Sequence, residues 1–85
     1  SKFVKNPSSR LKMKIKILNR KPKIGDIVKN RLDCNSLGLL LYFIDFEGMK
    51  NPMVFWFSGW RRGSTDWIHY NNALPVEIIE GSLGF

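Results

Sequence analysis

His69 is the only histidine and Cys34 the only cysteine in this chain, and they lie far apart in sequence. A metal centre needs several ligands at short spacings, and neither residue has a second ligand beside it. A catalytic thiol needs a histidine partner and positive surroundings, but Cys34 lies between Asp33 and Asn35. His69 is therefore read as a structural or surface residue and Cys34 as a loop residue. Asp26, Asp45, Glu47 and Asp66 could pair as general acid and base. Asp26 follows Gly25 and is more simply a turn residue, while Asp45 and Glu47 flank a hairpin turn. The chain has no glycine-rich phosphate loop. The expectation is a non-enzymatic protein without metal or cofactor.

Other residues point to binding. In Trp60-Arg61-Arg62, set between Gly59 and Gly63, Arg can stack on Trp by cation–π contact. Exposed aromatics with Arg also grip single-stranded nucleic acid, and a charged loop capping one end of the fold would look the same. Arg10-Leu11-Lys12-Met13-Lys14-Ile15-Lys16-Ile17 alternates basic and apolar residues with a period of two. That spacing predicts an extended strand with charge on one side and apolar groups on the other. Three uses fit it. The lysines could meet a run of phosphates. Leu11, Met13, Ile15 and Ile17 could cover apolar sheet elsewhere in the chain. The strand could also add to the sheet of another subunit.

The elements that hold these groups are strands. Leu39-Leu40-Leu41-Tyr42-Phe43-Ile44 and Met53-Val54-Phe55-Trp56-Phe57 are apolar on both faces, where a half-exposed strand would alternate. Gly48 and Asn51-Pro52 between them predict a hairpin. One face of it fills a core, and the other needs a cover, from the chain's own extension or from a partner. Phe43, Phe55, Phe57 and Trp60 are the barrel residues expected to meet that partner. Further strands are expected around Ile27-Val28, over Thr65–Tyr70 and over Pro75–Ile79, with a tight turn at Asn71–Leu74. Eighty-five residues make one domain, which buries little more than about 60% of its unfolded surface. Charge is unevenly placed. Residues 1–31 carry eight Lys and three Arg against one Asp, a net +10. Residues 32–85 carry one Lys and two Arg against three Asp and three Glu, a net −3. Such asymmetry points to an anionic partner, or to a solubilising tail. No apolar run approaches the ~20 residues of a membrane helix, and a lone cysteine favours a reducing, cytoplasmic site of synthesis. A first residue of Ser1 suits removal of an initiator Met and equally a boundary within a longer chain.

The order of these segments resembles the Src-homology-3-like small β-barrels. The matching residues are Gly25-Asp26-Ile27-Val28, Leu37-Gly38-Leu39-Leu40-Leu41, Val54-Phe55-Trp56, Thr65-Asp66-Trp67-Ile68 and Asn72-Ala73-Leu74-Pro75-Val76-Glu77-Ile78-Ile79. The resemblance implies an all-β, five-stranded barrel over 23–80, an N-terminal basic arm over 1–22 with a strand near 10–18, and a tail at 81–85. The pattern is similar to small barrels encoded by tailed phages, cyanophage-like ones included, several of which look like virion accessory proteins. Peptide-binding relatives use a Tyr-rich groove and an acidic loop for Pro-rich ligands. Here Trp60 is followed by Arg61-Arg62, and no acid-rich loop precedes the third strand. The expectation is an assembly protein of the virion, present in many copies, that docks an acidic protein surface through Arg10 to Ile17 and the apolar barrel face. The alternative is a nucleic-acid-binding barrel using the arm and Arg61-Arg62.

Overall fold

The computed structural model describes residues 14–33 and 36–80. Arg10, Leu11, Lys12 and Met13 of the expected arm, and Cys34, lie outside the described residues. The chain is all-β. Its strands are β1 (Lys14–Ile17), β2 (Ile27–Asn30), β3 (Leu37–Phe46), β4 (Met49–Trp56), β5 (Thr65–Trp67) and β6 (Ala73–Glu80). A 3₁₀ turn, Tyr70–Asn72, joins β5 to β6. The strands form one antiparallel sheet in the order β1-β6-β2-β3-β4-β5.

This corrects the five-stranded barrel in two ways. The sheet has six strands, because Lys14–Ile17 pairs with β6 of the same chain instead of standing apart as an arm. The sheet is also open: β1 and β5 are its two edges and do not pair with each other. β5 has only three residues, too few to carry a closing ladder.

Two prolines set the lengths of the edge strands. An antiparallel pair that exchanges hydrogen bonds needs an N–H from each residue. Beyond Ile17↔Val76 the next pair is Leu18 with Pro75. Leu18 N–H donates to Pro75 O at 2.8 Å, but Pro75 has no N–H to return. Beyond Trp67↔Met53 the next pair is Ile68 with Pro52. Ile68 N–H donates to Pro52 O at 3.2 Å, and again nothing returns. Both ladders stop there and both chains leave the sheet. The strand expected over Thr65–Tyr70 therefore ends at Trp67. Pro52 itself lies inside β4 and Pro75 inside β6, neither marking a turn or a strand start. The N–H and C=O of one strand residue point to the same side, so each missing donor faces the side where the neighbour has ended.

The hairpin turn is Glu47-Gly48, not Asn51-Pro52. Both turn residues have positive φ, 52° and 78°, as a two-residue hairpin loop requires. A bulge between Leu40 and Tyr42 inserts Leu41 as an extra residue in β3. It shifts the alternation, so Leu40 and Phe43 both turn to the core side. That core is Val28, Leu40, Val54, Trp56, Ile68 and Ala73, with Phe43 packed against it. Gly38 sits opposite Trp56, where the indole crosses the strand.

Asp26 fastens the segment between β1 and β2. Its carboxylate accepts both Arg20 guanidinium nitrogens, at 2.7 and 3.0 Å, and the Lys23 N–H at 2.8 Å. The Arg20 hydrogen bonds, followed by the Lys23 N–H and the nearby charges, outweigh burial and hold the Asp26 pKa below the usual carboxylate value. A lowered folded pKa contributes stability above the unfolded value, and this is lost as pH falls through the folded one. Asp26→Asn should therefore lower the Tm at pH 7. The difference from wild type should shrink as pH drops below about 4, which thermal melts across pH would measure. A constant difference at all pH values would contradict the pairing.

Candidate docking surfaces

Paired residues on neighbouring strands place their side chains on the same face. Register therefore aligns Ile17, Val76, Ile27, Leu39 and Phe55 in one row across β1, β6, β2, β3 and β4. This row lies on the face opposite Val28, Leu40, Val54 and Trp56. The next row holds Tyr42, Met53 and Trp67. Phe46 joins it, with its ring centroid 5.0 Å from that of Trp67. Val76 is buried, but Leu39 is 37% exposed, Phe55 39% and Tyr42 49%; Ile17 and Phe46 are exposed as well. The exposed part of this face is Leu39, Phe55, Tyr42 and Phe46, with Ile17 set apart beyond the buried Val76. Of the two-sided apolar hairpin, one side (Leu40, Val54, Trp56) is thus closed by the chain itself and the other is not.

The expected site residues divide accordingly. Phe55 and Ile17 lie on the open face, with Ile15 half-buried beside Ile78. Phe43 is half-buried at the core and lines a cleft, while Phe57 is half-buried just past β4. Lys14 and Lys16 belong to β1 at the edge of the sheet, with Lys16 in register with Glu77 of β6. Ile15 and Ile17 pair with β6, at the far side of the sheet from the hairpin, and do not cover it. Trp60 is 77% exposed. The Arg61 guanidinium lies 4.8 Å from its ring centroid and 3.7 Å from Asp66 Oδ2. Arg62 is exposed. The turn under them is held by Arg62 N–H to Gly59 O and Gly63 N–H to Trp56 O. His69 serves the backbone, since its Nδ1 accepts the Asn71 N–H at 3.1 Å and caps the 3₁₀ turn. Among the described residues no three His, Cys, Asp or Glu side chains gather as a metal site. No described helix is long and apolar enough to cross a membrane.

A second feature was not anticipated. Where the two prolines end β1 and β5, the diverted chains face each other across a cleft of about 370 Å³ lined by Lys21, Pro22, Phe43, Met49, Lys50 and Tyr70. A neighbouring cleft of about 380 Å³ shares Lys21, Pro22 and Tyr70 and runs between Leu18–Pro22 and the start of β6. Asn51, 1% exposed, fixes the turn that carries Tyr70: its Oδ1 accepts the Tyr70 N–H at 2.9 Å. Its Nδ2 donates to Phe46 O and Met49 O at 3.4 and 3.5 Å. Of the cleft residues, sequence reasoning singled out only Phe43. The others come from three separated segments that become neighbours only through register.

No protein family, curated protein or solved structure matches the chain.

Proposed function

We propose that this chain is a non-enzymatic structural protein that docks onto protein partners within a larger assembly. The observation that carries this reading is the exposed apolar group of Leu39, Phe55, Tyr42 and Phe46 on one face of the β3–β4 hairpin. Exposed apolar surface of this continuity marks an interaction site more often than a solvated face. A phage virion component, either capsid cement or decoration or a tail adaptor, is the role we favour. The strand order β6-β2-β3-β4-β5 and the 3₁₀ turn before the last strand support the resemblance behind it. On this reading the protein is made in the host cytoplasm, enters the particle in many copies, uses no membrane and meets an acidic partner surface. Gradient sedimentation of the large assemblies from cells that make the chain tests the proposal. Wild type travels with the particles, and a folded Leu39→Ser/Phe55→Ser variant stays at the top. A wild-type chain that stays at the top would refute it.

The nucleic-acid alternative draws on one observation, the exposed Trp60 with Arg61 stacked on it. It requires binding to generic DNA or RNA at low salt that weakens steeply as salt rises. Absence of binding at low salt removes it.

A further inference from the structure

We infer that the cleft between the Leu18–Pro22 segment and the 3₁₀ turn is a specificity site for an acidic, aromatic-bearing segment of a partner protein. This rests on the reading of the chain as a docking module and names what one of its contacts recognises.

The floor is apolar: Phe43, Met49, Pro22 and the Tyr70 ring. The rim is cationic from two directions. Lys21 comes from the segment after β1 and makes no ion pair among the described residues; Lys50 comes from β4. Lys50 pairs with Asp45 at 3.0 Å, but both side chains are well exposed, so that pair is weak and open to exchange. Arg20, in the adjoining cleft, is already engaged by Asp26. No acidic residue lines either cleft. An occupant must therefore bring apolar side chains for the floor and carboxylates for Lys21 and Lys50. The two clefts meet at Lys21, Pro22 and Tyr70, so the groove continues past the first pocket and suits an extended chain. A basic or purely polar segment would leave the floor unfilled or the lysines unmatched.

Two edges of this site are pre-formed, which limits the ordering cost of binding. Arg20 and Asp26 pin the Leu18–Pro22 side, and Asn51 pins Tyr70. Neither anchor lines the first cleft, and Arg20 lines the second.

The test uses the whole chain and a fluorescein-labelled octapeptide alternating Asp or Glu with Phe or Leu. Two control peptides replace the acids by Lys, or the Phe and Leu by Ser. Binding is read by fluorescence anisotropy and mapped by backbone amide shifts. The acidic apolar peptide should bind at least about tenfold tighter than either control, with shifts at Phe43, Met49 and Tyr70. Lys21→Ala/Lys50→Ala should weaken it about fivefold or more and flatten its salt dependence. Tyr70→Ala keeps the backbone bond to Asn51, so the turn stays, and should weaken the peptide without lowering salt sensitivity. Equal binding of all three peptides, or shifts elsewhere, would overturn the inference. Sedimentation equilibrium supplies the remaining outcome. A dimer of this chain that the peptide dissolves and that needs Asp45, Phe46 and Glu47 would replace the partner segment by a second copy. Leu39→Ser/Phe55→Ser should retain peptide binding. Failure of the groove would leave particle sedimentation intact, while failure of the docking reading would leave peptide binding intact.

Discussion

Gly38→Val should leave the chain unfolded at 25 °C, and Gly38→Ala should cost at least about 3 kcal/mol. Gly38 faces Trp56 across the β3–β4 ladder. A Cβ added there would stand 2.6 Å from Phe55 O and 2.9 Å from Trp56 Cε3, and closer still to a Val54 methyl. A carbonyl oxygen in a central ladder cannot retreat without breaking the pairing. Val54 and Trp56 are fully buried, so neither side chain can move outward. A domain of this size has only a few kcal/mol of stability to lose. Gly48→Ala is the informative contrast. Nothing lies near a Cβ at Gly48, and only its positive φ of 78° resists, at about 1–2 kcal/mol. Urea melts followed by tryptophan fluorescence would rank the variants. A Gly38→Ala midpoint equal to wild type would contradict the packing of Trp56 across this strand.

Asn51→Ala should cost about 2 kcal/mol and loosen the cleft at the same time. Asn51 is the buried link between the hairpin and the 3₁₀ turn, and its Oδ1 is the acceptor for the Tyr70 N–H. Alanine leaves that N–H and two strand-end carbonyls without their partner in a place water reaches poorly. Most of the loss falls on the oxygen–Tyr70 bond, because the two amide donations at 3.4 and 3.5 Å are long. Native-state hydrogen exchange separates local from global effects. The Tyr70 amide should exchange about 30-fold faster, in line with ~2 kcal/mol, wherever it opens locally. Peptide binding in the cleft should fall with it, since Asn51 positions Tyr70 without touching the groove. Unchanged Tyr70 exchange would show that the turn is held by something else, such as the His69 cap.

The all-β class was legible in the sequence because its strongest signals are local. The alternation through Ile17, the apolar hairpin segments and the glycines at 25, 48, 59 and 63 each mark strands or turns without reference to the rest of the chain. The open face was legible for the same reason: a run such as Leu39–Ile44 cannot hide both sides. The bulge at Leu41 could not be read, since an extra residue in an apolar run leaves no mark in composition. Asn51-Pro52 misled because the pair is a strong turn signal. Its placement inside β4 depends on where β5 ends, a relation of register that local chemistry does not carry. The same holds for Pro75 and β1. These two chain breaks are what bring Lys21, Lys50 and Tyr70 together, so the cleft was invisible for the reason the strand ends were.

Some roles moved when the strands were assembled. Lys14 and Lys16 suggested a free basic strand, but their strand pairs with β6, which places Glu77 in register with Lys16. Ile15 and Ile17 were candidates to cover the hairpin and instead pair with β6 at the other side of the sheet, Ile15 half-buried and Ile17 exposed.

Hydroxyl-radical footprinting of the free and the assembled chain, read by mass spectrometry, tests the central claim most directly. Leu39, Tyr42, Phe46 and Phe55 should label readily in the free chain and be protected about tenfold in the assembly, while Leu40, Val54 and Trp56 should label poorly in both. Equal labelling of Leu39, Tyr42, Phe46 and Phe55 in the two states would contradict the account.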